Sequence, residues 1–209
     1  IIIYIRLIMA TVVEHRETKQ KLLETALDLI WENNYDCVGI VQICTQSGVT
    51  KGAFYHYFKS KSDLAAAALE ARWLNMRNSL DRVFSPQNTS LERVDYYCEL
   101  IVSMQAEKHA QTGRVLGCPF ISTGQSTRED KLRSISVEIT ERMTKYFTSL
   151  VVDAQREGIV DKDLDASDIA RYMYVFVQGI LTIGRVKNDL ESVKNDLKPG
   201  LLRILGTSG

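Results

Sequence analysis

Apolar residues recur along this chain at the three- and four-residue spacing of amphipathic helices. Between residues 18 and 33, for example, Leu22, Ala26, Leu29 and Ile30 fall on one face of a helix. The same spacing predicts helices at about residues 40–47, 51–57, 61–84, 89–109, 128–157, 166–187 and 189–205. Residues 111–124 hold three glycines and one proline and are expected to form a loop. Because no convincing strand pattern is present, the sequence predicts an all-α fold.

Residues that cap helices mark several of these boundaries. Ser60 with Asp63, and Thr89 with Glu92, have the spacing of a capping box. Gly158 suits the C-terminal end of the helix that precedes it. We therefore divide the chain into an N-terminal extension, a small helical domain and a larger helical domain. The predicted ranges are 1–16, 17–64 and 65–209.

The second and third predicted helices are short and are joined by a tight turn. Gly48 occupies the turn, where a left-handed backbone favours glycine. Thr50 has the side chain and the position of an N-cap, and Phe54 and Phe58 are placed to pack against the first helix. This arrangement is a helix-turn-helix. The outward face of its second helix is expected to carry Lys51, Gly52, Ala53, Tyr55, His56 and Tyr57.

The distribution of charge supports a role for this segment at DNA. The whole chain is formally neutral at pH 7, with 26 basic and 26 acidic residues, so it lacks the positive excess of proteins that coat nucleic acids. Residues 37–62, however, contain no Asp or Glu, where about three would be expected by proportion. Lys51, Lys59 and Lys61 lie in this stretch. A local surface of this kind favours contact with phosphates.

The same segment resembles the DNA-binding signature of the TetR family of transcriptional regulators. The run GVTKGAFYHYF at residues 48–58, followed by KSKSDL at residues 59–64, is similar to the glycine-to-phenylalanine pattern and the lysine-to-leucine tail of that family. The resemblance implies a homodimeric repressor that binds a palindromic operator in double-stranded DNA and leaves it when a small-molecule inducer binds. It implies DNA contacts by Thr50, Lys51, Gly52, Ala53, Tyr55, His56, Tyr57 and Lys61.

Three residues depart from the family pattern, and two other classes of protein stay open. Val38, Gly39 and Val41 stand where the family often has hydroxyl side chains and an arginine, so no operator sequence carries over. A helical adaptor would hold the same three helices with an incidental Tyr-His-Tyr face. A helical enzyme would need a catalytic constellation. The three histidines are far apart in the sequence and no nucleophile–base pair or phosphate-binding loop is recognisable, so no enzymatic activity is expected.

The two last predicted helices have the composition of a subunit interface. Helix 166–187 is apolar on nearly all sides, which indicates burial against more than one neighbour, and Gly179 and Gly184 would allow close approach. Helix 189–205 offers a second apolar stripe of Val193, Leu197, Leu201, Leu202 and Leu205. By the resemblance, these helices form a four-helix bundle with their counterparts in a second subunit. An ordinary internal helix pair is the alternative.

Large apolar and aromatic residues of the second domain could line a cavity for a small molecule. The candidates are Tyr96, Tyr97, Leu100, Met104, Phe120, Met143, Phe147, Tyr172 and Phe176. Each of them also suits an ordinary core position. The sequence therefore predicts a site for a small apolar or electrophilic inducer and leaves the identity of that inducer open.

The four cysteines lack the Cys-x-x-Cys spacing of zinc sites, and no metal or other cofactor is predicted. Cys118 differs from the others because glycine and proline bound its loop, a helix start is near, and Arg114 is close in sequence. A helix N-terminus and a cation both favour the reactive thiolate. The position also resembles the sensing cysteine of the NemR-like branch of the family, although Arg185 stands where that branch has a lysine. Cys118 is a candidate redox or electrophile sensor, and a small buried apolar residue is the alternative.

The first ten residues are apolar apart from Arg6, but they are too few to span a bilayer, which takes roughly 20 residues. They also lack the order of regions that marks a secretory signal. We interpret Met9 as the natural start and residues 1–16 as a disordered or artefactual extension. With neither a membrane anchor nor a disulfide framework predicted, the expected location is the cytoplasm.

Overall fold

The computed structural model describes the backbone of residues 2–207 and the side chains of residues 15–207. Over this range all regular structure is helical, which confirms the all-α prediction. A 3-10 helix at Tyr35–Cys37 joins the first two α-helices. The helices α1 to α9 span Ile2–Asn33, Ile40–Ser47, Lys51–Tyr57, Lys61–Val83, Ser90–Thr112, Pro119–Gln125, Asp130–Arg156, Ala166–Lys187 and Leu190–Ile204.

Capping side chains explain why most boundaries agree closely with the sequence. The hydroxyl of Thr89 accepts a bond from the N–H of Glu92, and the Glu92 carboxylate accepts one from the N–H of Thr89 at 2.8 Å, which completes the capping box at the start of α5. At the start of α8, Asp165 accepts bonds from the N–H groups of Ser167 and Asp168. Local chemistry thus sets the helix ends.

Two stretches differ from the prediction. The predicted loop at residues 111–124 is wrong in its second half, because Pro119 begins α6. Proline in the first turn loses no helical hydrogen bond and its fixed φ suits a helix, so Pro119 starts this element instead of excluding it. Helix α1 begins at Ile2, well before residue 18. The prediction for residues 1–16 falls mostly on side chains outside the described set and stays a prediction.

The chain separates into two compact units. The first combines the residues up to Arg72 with residues 122–135, and the second combines residues 73–121 with the residues from 136 onward. The predicted boundary after residue 64 lies earlier in the same helix, α4, and residues 122–135 are predicted in the larger domain. A continuous helix carries no local signal of where its packing partners change, so the sequence alone does not locate this division.

In the first unit, α1 packs against α2 and the 3-10 helix, and α2 packs against α3. The buried face of α1 comprises Leu22, Ala26, Leu29, Ile30 and Trp31. Ile43 from α2 and Phe54 from α3 are fully buried against this core, and Phe58 is nearly so. Burial of these side chains is the main source of stability for α2 and α3, which have 8 and 7 residues and are too short to persist alone.

In the second unit, α9 packs against both α8 and α5. The predicted apolar stripe of α9 is largely used inside the same protomer, because Val193, Leu197, Leu201 and Leu205 are buried there. The expectation that this stripe is offered to a second subunit is therefore corrected. A Cβ on Gly184 of α8 would lie 2.6 Å from Cγ2 of Val193, so this glycine permits close approach to α9 of the same chain.

Candidate functional site

The turn between α2 and α3 is tight and is held by backbone hydrogen bonds. Gly48 ends α2 in the left-handed region at φ +67°, and the N–H of Val49 donates to the carbonyl of Cys44 at 3.0 Å. Thr50 caps α3, since its hydroxyl oxygen accepts a bond from the N–H of Ala53 at 3.2 Å. The predicted helix-turn-helix is present, with its glycine and its cap where the sequence indicates.

The core of the first unit decides which side of α3 faces solvent. Phe54 and Phe58 hold one side of the helix inward. The opposite side carries Lys51, Gly52, Tyr55 and His56, all exposed, and Tyr55 is 50% open to solvent. We call these four residues the recognition face. An exposed cation, phenol and imidazole on one short helix are suited to phosphates and base edges.

Gly52 lies in the middle of the recognition face, and no described neighbour packs so closely that this position requires a glycine. A Cβ built on Gly52 would meet only the Thr50 hydroxyl oxygen, at 4.0 Å, and nothing nearer. The fold itself would accept a side chain at this position. A bare backbone here instead suits the close approach of an outside surface. Of the neighbouring predicted contacts, Ala53 is half-buried, and Thr50 is exposed while it serves as the cap.

Two of the predicted DNA contacts have partners inside the first unit. The Tyr57 hydroxyl is hydrogen-bonded to Nδ1 of His15 at 2.9 Å, so this phenol is turned toward α1. The Lys61 ammonium donates to the carbonyls of Tyr35 and Val38, both at 2.9 Å, and lies 3.9 Å from the centre of the Tyr35 ring. Tyr57 and Lys61 therefore tie elements of the unit together, and their contact with DNA stays a prediction.

A small, partly enclosed cavity lies within the second unit, with a volume of about 40 Å³. Four of the nine predicted pocket residues line it, namely Tyr97, Met104, Phe120 and Met143. The other lining residues are Met76, Leu80, Ile101, Gln105, Gly117, Cys118, Pro119, Tyr174, Gln178 and Leu181. Helices α4, α5, α7 and α8 and the start of α6 all contribute.

The remaining five predicted residues do not line this cavity, and helical geometry gives the reason. Tyr96 and Leu100 lie one position before Tyr97 and Ile101 on α5, so they face another direction. On α8, likewise, the residues that line the cavity are Tyr174, Gln178 and Leu181. The side chains of Tyr172 and Phe176 lie on other faces of that helix: Tyr172 is exposed, and Phe176 packs over Gly200 of α9. Phe147 packs behind Tyr97, with ring centres 5.0 Å apart.

Two polar side chains that the sequence did not indicate, Gln105 and Asn188, are hydrogen-bonded to the segment 113–117 beside the cavity. The Gln105 side chain donates to the carbonyl of Gly117 and accepts from its N–H, both at 3.0 Å. Asn188, at the end of α8, accepts from the N–H of Val115 at 2.8 Å and donates to the carbonyl of Gly113 at 3.0 Å. A glutamine on an otherwise apolar helix face is the sequence signal that could have identified Gln105.

Cys118 lines the cavity immediately before α6 and is half-buried. Two residues earlier, the Leu116 carbonyl accepts a hydrogen bond from the Arg185 guanidinium at 2.9 Å. Burial raises the pKa of Tyr97 and of Tyr174, both of which line the same cavity, and the neighbouring Cys118 thiol adds to both shifts. Cys98, by contrast, is a buried thiol whose pKa is raised to about 12 by burial, so it is unreactive near neutral pH.

A larger groove of about 870 Å³ lies on the same unit between α4 and α7, but it is open to solvent. Two arginines that line it form ion pairs at the surface: Arg77 lies 3.8 Å from Asp81, and Arg142 lies 3.1 Å from Glu138. Small-molecule sites bury most of the ligand, so the partly enclosed cavity is the better candidate despite its smaller volume.

Helix α8 leaves a stripe of apolar side chains uncovered in the single chain. The stripe comprises Tyr172, Val175, Ile183 and Val186, and we call it the α8 stripe. Val175 is 60% exposed and Val186 is 76% exposed. Gly179 lies between them, and a Cβ there would meet nothing within 4 Å. An uncovered apolar stripe with a glycine at its centre is typical of a surface that packs against another helix.

The described residues contain no cluster of three or more His, Cys, Asp or Glu side chains that could hold a metal ion. In the same part of the chain, no helix has both the length and the hydropathy needed to cross a bilayer.

Comparison with known proteins places both units in one family. Residues 22–68 match the family model described as bacterial regulatory proteins, tetR family. Residues 90–196 match the model described as the tetracyclin repressor-like C-terminal domain. The transcriptional regulator AcuR of Cereibacter sphaeroides is 28% identical over 165 residues, which are 78% of this chain and 74% of AcuR. The relatives found are named as transcriptional regulators, a role without enzymatic activity.

Solved structures agree with this assignment. A regulatory protein TetR from Rhodobacter sphaeroides superposes with a TM-score of 0.73 at 26% identity, over 90% of this chain and 96% of that one. The reduced form of E. coli NemR gives a TM-score of 0.73 over 90% of this chain and 96% of its own, but at 17% identity, which shows the fold alone. The chain belongs to the TetR family and is a DNA-binding transcriptional regulator.

Proposed function

We propose that this regulator is a repressor whose homodimer binds a palindromic operator through α3 of each protomer. The observation that carries the proposal is the recognition face, which the buried core of the first unit leaves open to solvent. Lys51 is assigned to a phosphate, and Tyr55 and His56 are assigned to phosphates or base edges of the major groove. Gly52 with Ala53 allows the helix to enter the groove closely, and Thr50 supports the helix start.

Binding to DNA tests this assignment directly. The probe is a labelled fragment from upstream of the gene, or a palindrome selected from a random pool, and the readout is fluorescence anisotropy. The double variant Lys51→Ala/Tyr55→Ala is expected to weaken binding at least ~1,000-fold, because each dimer loses four contacts worth about 1–3 kcal/mol each. Unchanged affinity of the double variant would refute the assignment.

Two further variants separate loss of contacts from loss of fold. Tyr96→Ala removes a tyrosine of similar exposure from α5 and is expected to bind the operator as the wild type does. Gly52→Glu is expected to fold normally, because its Cβ meets nothing closer than 4.0 Å, but to lose DNA binding through bulk and negative charge beside phosphates. Thermal unfolding of each variant checks the fold independently of DNA.

The cavity of the second unit is the proposed inducer site. Its support is partial enclosure, a mostly apolar lining and a few convergent polar atoms. An inducer that favours one conformation of the dimer by ~1–3 kcal/mol would change operator affinity about 5–150-fold. Since DNA is the partner, the cytoplasm is the proposed location.

Cys118 supports a second route to release, by modification of its thiol. It lines the cavity, so a small electrophile or oxidant that reaches the cavity also reaches the sulfur. Mass spectrometry after brief treatment with N-ethylmaleimide or peroxide is expected to find Cys118 modified, and the treated protein is expected to leave the operator. Cys37, which is exposed, is the matched control. If Cys118→Ser were released from DNA to the same extent by the same treatment, this route would be wrong.

A further inference from the structure

Gln178 lines the cavity and carries a buried polar atom without a partner in the described part of the chain. Its side chain lines the cavity from α8, and its Oε1 is buried without a hydrogen-bond partner among the described residues. Buried polar atoms in native proteins nearly always have a partner, since an unpaired one loses its hydration without compensation. An exception beside a cavity therefore indicates that the partner belongs to whatever occupies the cavity.

Two other polar side chains of the lining, Gln105 and Tyr174, are already used inside the protein. Both atoms of the Gln105 amide are bonded to the backbone of Gly117 at 3.0 Å. The Tyr174 phenol is hydrogen-bonded to Thr140. Gln178 Oε1 is left as an acceptor, and an acceptor is satisfied only by an O–H or N–H group.

The remaining lining excludes a charged occupant. None of the residues around the cavity is Lys, Arg, His, Asp or Glu, so an ion would lose its hydration without gaining a counter-charge. The volume of about 40 Å³ corresponds to roughly three water-sized positions at 10–15 Å³ each. Met76, Met104 and Met143 border this space, and their flexible side chains allow limited expansion.

We propose that the cavity binds a small neutral molecule of a few heavy atoms, such as a short-chain alcohol or primary amide, whose O–H or N–H donates to Gln178 Oε1. The binding itself is a property of the second unit alone, whereas its regulatory meaning rests on the function proposed above. Gln178 is thus the residue that selects for a hydrogen-bond donor, and the apolar walls select against charge.

The experiment compares how two isomers and one ion bind to the protein in the absence of DNA. The probes are n-butanol, methyl propyl ether and butyrate, of which the first two share the formula C4H10O and only n-butanol has an O–H donor. Binding is followed by NMR of methionine methyl groups labelled with carbon-13. Met76, Met104 and Met143 report on the cavity, and Met173, buried outside the lining, is the internal control.

The expected result is a Kd for n-butanol about two- to tenfold lower than that for the ether, the range of one neutral hydrogen bond, with no saturable binding of butyrate. Gln178→Met keeps the length of the side chain and removes the acceptor, so it is expected to abolish the difference between the isomers. This variant is also expected to unfold at the same temperature as the wild type or a higher one, because it removes an unpaired polar atom.

Equal binding of the isomers, tighter binding of the ether or of butyrate, or no saturable change at the three cavity methionines would each overturn the proposal. If Gln178→Met failed to fold, the comparison of the two isomers in the wild-type protein would still test the proposal. A separate anisotropy titration asks whether n-butanol weakens operator binding. If n-butanol were preferred but did not change operator affinity, the hydrogen-bond acceptor site at Gln178 would be supported. The inducer role of the cavity would be contradicted.

Discussion

Single residues in the first unit divide into those that its fold uses and those that it does not. Phe54 is buried in the core, and Tyr57 and Lys61 are hydrogen-bonded to other elements of the unit. Lys51 and Tyr55 project from the same short helix with their polar ends in solvent. A family signature mixes both classes, so the presence of a residue in the signature does not identify it as a DNA contact. Hydrogen-bond partners inside the protein show which members of the signature the fold itself uses.

Lys61 provides the test at this scale. Lys61→Met would leave the Val38 carbonyl without its donor, whereas the Tyr35 carbonyl keeps the N–H of Val38 at 3.3 Å. One buried unpaired acceptor costs about 1–3 kcal/mol. We expect the free energy of unfolding, measured in urea, to fall by roughly 1–3 kcal/mol. Operator affinity, measured well below the unfolding midpoint, is expected to change little.

Lys59→Met is the matched control, because Lys59 is exposed two residues earlier. It is expected to leave stability unchanged. Salt dependence distinguishes the two possible roles of Lys61: a lysine that neutralises a phosphate contributes about one to the slope of log K against log salt for each contact. A slope reduced by Lys61→Met, together with unchanged stability, would show that this lysine contacts DNA after all.

At the scale of elements, α8 serves three purposes on three faces. One face lines the cavity with Tyr174, Gln178 and Leu181. A second face packs on α9, where Gly184 meets Val193. The α8 stripe occupies the third face, where its side chains are exposed to solvent in the part of the chain that the structure describes. This division explains why the helix is apolar on nearly all sides, since each face requires burial for its own reason.

Much of this architecture could be predicted because local chemistry specifies it. Gly48, Thr50 and Thr89 carry turn and cap signals that depend only on neighbouring residues, and the helices begin or end there. The cavity could not be predicted as well, because Tyr96 and Tyr97 are chemically alike and only packing decides which one faces inward. The polar exceptions on apolar faces, Gln105 and Gln178, were the more specific signal.

The contact of α8 with α9 can be tested by changing both sides. Gly184→Ala places a methyl group 2.6 Å from Cγ2 of Val193, so we expect it to lower the free energy of unfolding by about 1–3 kcal/mol through overpacking. Val193→Ala makes room for that methyl group. The double variant is therefore expected to be more stable than the sum of the single changes predicts, by about 0.5–3 kcal/mol.

Urea denaturation at one fixed protomer concentration measures all four members of this cycle. Strict additivity would contradict the contact, because residues that do not touch show no coupling free energy. Gly158→Ala provides a contrast: its Cβ would meet nothing within 4 Å, but its φ of +77° strains any other residue, and no coupling with Val193→Ala is expected.

At the scale of the whole molecule, the recognition face belongs to one unit and the cavity to the other, so regulation requires coupling between them. Helix α4 belongs to both: its residues up to Arg72 fall in the first unit, and Met76 and Leu80 line the cavity of the second. We propose that this helix carries the coupling. A continuous helix is a suitable element because a shift at one end moves residues at the other.

Operator binding by two recognition helices also requires a dimer, and the α8 stripe is the proposed interface. A monomer rarely leaves a contiguous apolar stripe in water. Because the apolar residues of α9 are mostly buried in the protomer itself, we expect α8 to supply most of the apolar contact, with exposed polar residues of α9 beside it. The position of Gly179 within the stripe allows the partner helix to approach closely.

The variant Val175→Glu/Val186→Glu tests this interface by placing two carboxylates per protomer in it. Burial of unpaired charges costs several kcal/mol, so we expect sedimentation velocity to show a monomer where the wild type is a dimer, and operator affinity to fall with the loss of the second recognition helix. Val137→Glu, at a valine 53% exposed on α7, is expected to remain dimeric. A double variant that still sediments as a dimer and still binds the operator would place the interface elsewhere, because no dimer joined through the α8 stripe could absorb four buried carboxylates.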